Sequence, residues 1–370
     1  MNSVHVRDDV PLLLTPGPLT TAPEVRAATH RDWGSREGDF VALTRRLRAR
    51  LVQLAGGSDR TCIPVQGSGT YAVEAMLGSF VPADGKVLIL VNGAYGRRMA
   101  EICRRIGRAH RTMIWAEDEV VDAAALETAL REEAGISHVA VVHLETTSGI
   151  LNPLAAIAAT VASHGRRLLV DAMSSFGAVP IASDLRIDAL AASANKGLEG
   201  LPGLSFVLAR PSAIGEAAGR APSLALDLHD QWRSLETSGE WRFTPPTHIV
   251  AALDRALDLL DAEGGIAARH RRYQANMAAL RRGMERLGFH PYLAEERSGP
   301  VIATFHWPSP TFDFVEFHAR LLALGFAIYP GKLTAAPSFR VGCIGQVTPD
   351  DIERFLAAVA VIFTSPSRSS

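Results

Sequence analysis

Cysteine is scarce in this chain: Cys62, Cys103 and Cys343 are the three among 370 residues, and no two stand in CxxC spacing. That excludes a disulfide framework and a thiolate metal site, and it fits a reducing cytoplasm. Charge of one sign is missing too, with 38 Lys+Arg against 39 Asp+Glu and a net charge of −1. Nothing therefore marks a surface for nucleic acid or an anionic membrane. No apolar run approaches the roughly 18 residues that a membrane span needs. The stretch Met1 to Val10 carries Asp8 and Asp9 in place of a signal peptide's apolar core. The 12 histidines are scattered without an HExxH pair, so no metal centre is expected. Internal repeats and low-complexity tracts are also missing. What is there is a globular composition, 47% hydrophobic and 21% charged, long enough for about two domains.

From about residue 60 to 210, apolar runs alternate with amphipathic segments, the pattern of an α/β domain with a mostly parallel sheet. Cys62–Gln66, Val87–Val91, His138–Leu144, Leu168–Asp171, Ala189–Ala192 and Leu204–Ala209 read as strands, and Asp122–Glu133 as a helix. Near Thr244-Pro245-Pro246-Thr247 the alternation breaks. A helix is then expected over Ile249–Ala262, ended by Gly264-Gly265. An α+β unit follows, with a helix over His270–Leu287, strands at Val301–Phe305 and Ser338–Gly342, and a last helix over Pro349–Ile362. The expected domains are an N-terminal segment 1–20 near the site, a large domain 21–262, a small domain 263–363 and a disordered Ser-rich tail 364–370.

Two strand-end residues carry the chemistry. Lys196 closes Ala191-Ala192-Ser193-Ala194-Asn195, and a lysine at the mouth of a buried strand is unfavourable unless paired or chemically used. Burial lowers a lysine's pKa and suits it to a Schiff base. Asp171 ends the run Leu168-Leu169-Val170. The pair suits pyridoxal 5'-phosphate: Lys196 forms the imine, and Asp171 keeps the pyridine nitrogen protonated so that the ring acts as an electron sink. A loop lysine and a helix-capping aspartate are the plain alternative.

Val65-Gln66-Gly67-Ser68-Gly69-Thr70-Tyr71-Ala72 follows a strand and opens a helix with Val73, Met76, Leu77 and Phe80 on one face. Glycines let backbone approach an anion, the helix start offers N–H donors, and Ser68 and Thr70 add hydroxyls. The string is also G-x-G-x-x-A, so an NAD-dependent oxidoreductase competes. Against it, the next strand ends in Asn92-Gly93 where an acid should bind ribose, and Asp171 and Lys196 would have no task. Tyr95 can stack on a cofactor ring or simply pack a turn. Thr146 can bond a ring hydroxyl, and Met173 can cover the other ring face. Arg340, inside Phe339-Arg340-Val341-Gly342, suits a bound carboxylate or phosphonate, with a salt bridge between domains as the alternative. Cys343 lies in the same apolar run and reads as packing, not as the mobile nucleophile of a desulfurase.

Further strings complete a recognisable set. They are Leu14-Thr15-Pro16-Gly17-Pro18, His30-Arg31-Asp32-Trp33-Gly34-Ser35-Arg36, Asp171-Ala172-Met173-Ser174-Ser175-Phe176-Gly177, Phe243-Thr244-Pro245-Pro246-Thr247-His248 and Tyr329-Pro330-Gly331-Lys332-Leu333. With the phosphate loop, the lysine run and Phe339 to Gly345, the set resembles the 2-aminoethylphosphonate–pyruvate transaminases from about residue 12 to 362. These are class V members of the fold type I pyridoxal phosphate enzymes, related to alanine–glyoxylate and serine–glyoxylate aminotransferases. The resemblance implies a large domain with a mostly parallel seven-stranded sheet, a smaller α+β C-terminal domain and a cytoplasmic homodimer with shared active sites. It implies amino transfer from 2-aminoethylphosphonate to pyruvate, giving phosphonoacetaldehyde and L-alanine, with no nucleic-acid or membrane partner. Lys196 would carry the cofactor, Asp171 pair with its ring nitrogen and Tyr95 stack on it. Ser68, Gly69, Thr70 and Asn195 would hold the phosphate, with Thr244 reaching it from the neighbouring subunit. Arg340 would bind the substrate's anion, with backbone near Gly17 or the basic side chains of Arg31–Arg36 as the other place for a phosphonate. After the lysine, the family's Cys-Ile-Glu/Gln-Gly-like run is replaced by Gly197-Leu198-Glu199-Gly200, and residues 235–241 depart from an Arg-rich version. Both departures are expected at the substrate entrance. A class V aminotransferase acting on a substituted aminophosphonate, alanine or serine is the alternative within the family.

Overall fold

The computed structural model of the chain describes residues 10–57 and 59–364. The chain enters through β1 (Leu12–Leu13), α1 (Pro23–Ala27) and α2 (Gly38–Leu54). Then come β2 (Thr61–Gln66), α3 (Gly69–Phe80), β3 (Lys86–Val91), α4 (Ala94–Arg105), β4 (Ala109–Ile114), α5 (Ala123–Glu132) and β5 (Ile136–Val142). The short β6 (Leu144–Glu145) and β7 (Ile150–Leu151) precede α6 (Leu154–Ser163), β8 (Arg167–Asp171), β9 (Ala189–Ser193), β10 (Leu204–Ala209), α7 (Pro211–Gly215) and α8 (Leu228–Thr237). Next are α9 (Thr247–Glu263), α10 (Gly265–Arg286), β11 (Ile302–His306), α11 (Phe314–Ala323), β12 (Phe326–Ala327), β13 (Tyr329–Pro330), β14 (Ser338–Gly342) and α12 (Pro349–Thr364). The expected tail beyond Thr364 lies outside the described residues, as do residues 1–9 of the N-terminal segment.

Seven strands form one sheet in the order β2-β10-β9-β8-β5-β3-β4. β10 alone runs against its neighbours, so the other strands share one direction. Helices cover both faces, and the pleat sorts the apolar runs between two cores. Leu88, Leu90, Val139 and Val141 pack with Phe40 and Leu47 of α2 and Leu253 and Leu257 of α9. Val87, Ile89, Val91, Ala140 and Val142 pack with Val73, Met76 and Leu77 of α3. Burying each such side chain contributes roughly 1.5–3 kcal/mol. At one edge, β2 accommodates Pro64, which has no N–H to give to a ladder.

The other edge strand, β4, escapes the apolar pattern because its residues are exposed or half-buried, with Arg111 paired to Glu133 at 2.9 Å. The run His138–Leu144 is not one strand. It leaves the sheet after Val142, and the His143 N–H donates to the Asp171 carbonyl at 2.9 Å while Leu144 and Glu145 pair with β7. α10 begins five residues before the expected His270. Gly264 (φ +103°) and Gly265 (φ +76°) are both left-handed and reverse the chain with no loop between helices. β1 pairs in parallel with β12, which ties the N-terminal segment to the C-terminal unit. That unit packs Phe289, Phe305, Phe317 and Phe339 behind β11 and β14.

Candidate active site

The shared strand direction opens the loops after β2, β3, β5, β8 and β9 at one sheet edge, where α/β folds bind ligands. A cavity of about 190 Å³ lies there. Ser68, Gly69 and Thr70 line it from β2, Tyr95 from β3, Thr146 from beyond β5, Asp171 and Met173 from β8, and Asn195 and Lys196 from β9. The residues singled out from separate strings therefore meet in one place. Arg98 joins them, and its only sequence signal is a position one helical turn beyond Tyr95. Its Nη1 donates to Thr70 Oγ1 at 3.2 Å, and its guanidinium lies 4.8 Å from the Tyr95 ring centre.

The Ser68 side chain makes no capping bond at the start of α3, so first-turn amides and hydroxyls remain for a ligand. A Cβ on Gly69 would run into the Met173 side chain. This geometry disposes of the dinucleotide reading. β2 is an edge strand whose one sheet neighbour, β10, is antiparallel, whereas the dinucleotide fingerprint leaves a strand inside a parallel βαβ unit.

The Asp171 carboxylate accepts one hydrogen bond among the described residues, from the Met173 N–H at 3.0 Å. Burial pushes its pKa up to about 6 against that bond; nearby Glu145 adds to the rise, while Arg98 and Lys196 oppose it. A buried carboxylate with no cation bonded to it calls for a cationic partner in the cavity. Lys196 Nζ donates to the Pro16 carbonyl, and a Cβ on Gly17 (φ +118°) would sit 2.8 Å from that nitrogen. Burial lowers the Lys196 pKa, and Arg340 and Lys332 lower it further, against Tyr95 and Asp171. Under Tyr95, buried Glu145 accepts from the N–H groups of Tyr95 (3.1 Å), Gly96 (3.2 Å) and Thr147 (3.0 Å), which fixes the start of α4. An acidic group at a helix start is also favoured by the helix dipole. A phosphate cradle, an unpaired buried carboxylate and a lysine of lowered pKa around one cavity fit pyridoxal phosphate.

Arg340, 3% exposed on β14, stands beside the cavity: Nε donates to the Pro330 carbonyl and Nη1 to the Thr146 carbonyl, both at 3.0 Å. It forms no ion pair among the described residues, so the salt-bridge alternative falls away. Thr244 is not in this cavity. It borders a separate one with Gln66, Gly67, Tyr71 and Phe243.

The 197–200 turn does not line the entrance. A Cβ on Gly197 would lie 2.6 Å from the Ala178 nitrogen, so close backbone packing demands glycine. Glu199 (φ +58°) is buried and accepts from Tyr273 Oη (2.5 Å), Arg272 Nη2 (2.7 Å) and Gln346 Nε2 (2.6 Å). It thus clamps the lysine turn to α10 and to the loop after β14. Nor does the 235–241 segment reach the cavity; Glu236 pairs with Arg48, and Trp241 Nε1 donates to Thr44 Oγ1 at 3.3 Å. Cys343 is fully buried and its thiol pKa is pushed up by that burial, the reverse of what a desulfurase nucleophile needs.

Residues 22–341 match the family described as Aminotransferase class-V. The chain is 51% identical over 355 residues to the 2-aminoethylphosphonate–pyruvate transaminase of Pseudomonas fluorescens, covering 95% of this chain and 96% of that protein. It is also 51% identical over 352 residues to the protein of that name from Pseudomonas aeruginosa, covering 94% and 95%. Among solved structures, alanine–glyoxylate aminotransferase from Nostoc sp. superposes with a TM-score of 0.90 at 27% identity, covering 98% of each chain. Fold, cavity and likeness agree: the chain belongs to the class V aminotransferases, in the family of 2-aminoethylphosphonate–pyruvate transaminases.

Proposed function

We propose that this chain transfers the amino group of 2-aminoethylphosphonate to pyruvate, with pyridoxal 5'-phosphate held on Lys196. The carrying observation is that Lys196, Asp171 and the Ser68–Thr70 cradle share one cavity with Arg340 beside it, in a chain 51% identical to relatives of that name. When bound, the cofactor supplies an aldehyde that takes up the amino group and a ring that accepts the electron pair of the cleaved C–H bond. Ser68, Gly69, Thr70, Asn195 and Arg98 hold its phosphate. Asp171, ionised, would pair with the ring nitrogen and keep it protonated. Tyr95 and Met173 would hold the ring between them, and Thr146 would serve its hydroxyl.

Arg340, with backbone near Gly17, binds the phosphonate of the donor and then the carboxylate of pyruvate, so one pocket serves two half-reactions. Burial lowers the Lys196 pKa, which favours the neutral amine that would take the proton from the amino-bearing carbon of the donor. The products are phosphonoacetaldehyde and L-alanine. A homodimer belongs to this reading. Phe243 and Tyr71, 52% and 53% exposed, flank Thr244 with apolar surface that a second copy covers, and Thr244 reaches the second copy's phosphate. The free, buried cysteines accord with a reducing cytoplasm, and no helix of the described residues is long and apolar enough to cross a membrane.

The test is direct. Protein loaded with cofactor should convert 2-aminoethylphosphonate and pyruvate to equal amounts of phosphonoacetaldehyde and L-alanine, and it should show the visible band of lysine-bound cofactor. Lys196→Ala should lose both. Full turnover in that variant, or dependence on NAD(H), refutes the reading.

A further inference from the structure

Lys196, Lys332 and Arg340 gather around Tyr95, and no ion pair among the described residues involves any of them. Lys332 belongs to the loop between β13 and β14. Its Nζ stands 3.3 Å from Tyr95 Oη and 5.0 Å from the ring centre. Both sides of this loop are braced, since the Gly331 N–H donates to the Ser338 carbonyl (2.9 Å) and the Thr334 N–H to Glu117 Oε2 (2.8 Å). Glu117 already pairs with Arg97 at 2.6 Å and leaves Lys332 uncompensated. The Pro330 carbonyl accepts from Arg340 Nε, so the segment that carries Lys332 also orients Arg340.

Donor counting separates the two substrates. Arg340 commits Nε and one Nη1 hydrogen to backbone carbonyls and turns a further hydrogen towards the Tyr95 hydroxyl, which leaves two hydrogens for two oxygens. A carboxylate has two oxygens and one charge, and those two hydrogens satisfy it. A phosphonate has three oxygens and up to two charges, so an oxygen and a charge remain. We propose that Lys332 determines donor specificity: its ammonium takes the third phosphonate oxygen, while Arg340 alone serves the carboxylate of pyruvate. Lys332 is exposed, and its one described acceptor is a phenol, so its flexible stem can turn to a dianion. The gathered positive charge, Lys196, Lys332 and Arg340 with Arg98 also over the Tyr95 ring, outnumbers the nearby carboxylates of Asp171 and Glu145, and a dianion relieves the excess. This inference rests on the aminophosphonate reading above.

The experiment compares wild-type holoenzyme with Lys332→Gln and Lys332→Arg in single half-reactions. Each is followed by loss of the visible band with 2-aminoethylphosphonate or with L-alanine. Methylphosphonate and acetate are then compared as inhibitors of the L-alanine half-reaction. Lys332→Gln should raise the half-saturating aminophosphonate concentration about tenfold or more beyond any change for L-alanine. It should weaken methylphosphonate by a similar factor relative to acetate, and Lys332→Arg should recover most of both. Equal losses for the two donors, or an unchanged methylphosphonate-to-acetate ratio, overturn the role of Lys332. A wild type that leaves 2-aminoethylphosphonate untouched overturns the donor proposed above, and the inhibitor ratio still decides the role of Lys332.

Discussion

Replacing Asp171 by asparagine in the cofactor-free chain separates what the carboxylate does for chemistry from what it costs the fold. Burial raises its pKa from 3.8 to about 6. That is roughly 2 units at 1.36 kcal/mol each, or about 3 kcal/mol of disfavour for the ionised form in the folded state. Above about pH 6 the group is ionised in both states, and the folded chain bears the whole penalty. As pH falls towards 3.8 the folded state binds the proton first, and the penalty disappears. Asparagine is neutral throughout, and its side-chain oxygen can still accept the Met173 N–H. Urea denaturation of the cofactor-free proteins near pH 8 should find Asp171→Asn more stable by up to about 3 kcal/mol, with the gap closing below about pH 6. Turnover of the loaded variant should fall severely, because an amide does not hold a pyridinium proton. A variant less stable than wild type near pH 8, or a gap indifferent to pH, would refute the reasoning.

Arg340→Ala should lower kcat/KM by about a hundredfold or more for both substrates, since hydrogen bonds to charged groups contribute about 1.5–3 kcal/mol each. Arg340→Lys should recover only part of that, because it keeps the charge and loses the fork; steady-state kinetics with each substrate varied decides it. Glu199→Ala leaves the guanidinium groups of Arg269 and Arg272 to share the single carboxylate of Glu263 and takes the acceptor from the buried Tyr273 hydroxyl, and should destabilise the cofactor-free chain by about 3–5 kcal/mol in urea denaturation. Lost stability should return only in part with Glu199→Gln, which keeps acceptors but not the charge.

What was legible in the sequence divides along physical lines. Strands buried on both faces announce themselves as apolar runs, and Leu204–Ala209 and Ser338–Gly342 agree to the residue with β10 and β14. β4 does not, because an edge strand half in water can carry Arg111 and Thr112 where an inner strand carries valine. The same division runs through the site. Asp171, Lys196, Ser68 and Thr70 stand where strands end, so parallel topology alone brings them together.

Arg98 and Lys332 were not legible as parts of the site, nor Glu199 as the clamp beneath it, because what they do depends on partners far along the chain. Glu199 meets Gln346 across 147 positions, and Lys332 meets Tyr95 across 237. The Gly197 departure shows how a local string misleads. Next to Lys196 it suggests specificity, yet the neighbouring Phe176–Ala178 backbone leaves no room for a side chain there. Motifs report which residue types meet a ligand. How many charges that ligand carries is a sum over the whole pocket, and the sum proposed here includes Lys332, which arrives from the loop between β13 and β14. Donor choice in this chain therefore turns on long-range charge balance around Tyr95, and substitutions near Lys196 in sequence should matter less to it than substitutions at Lys332.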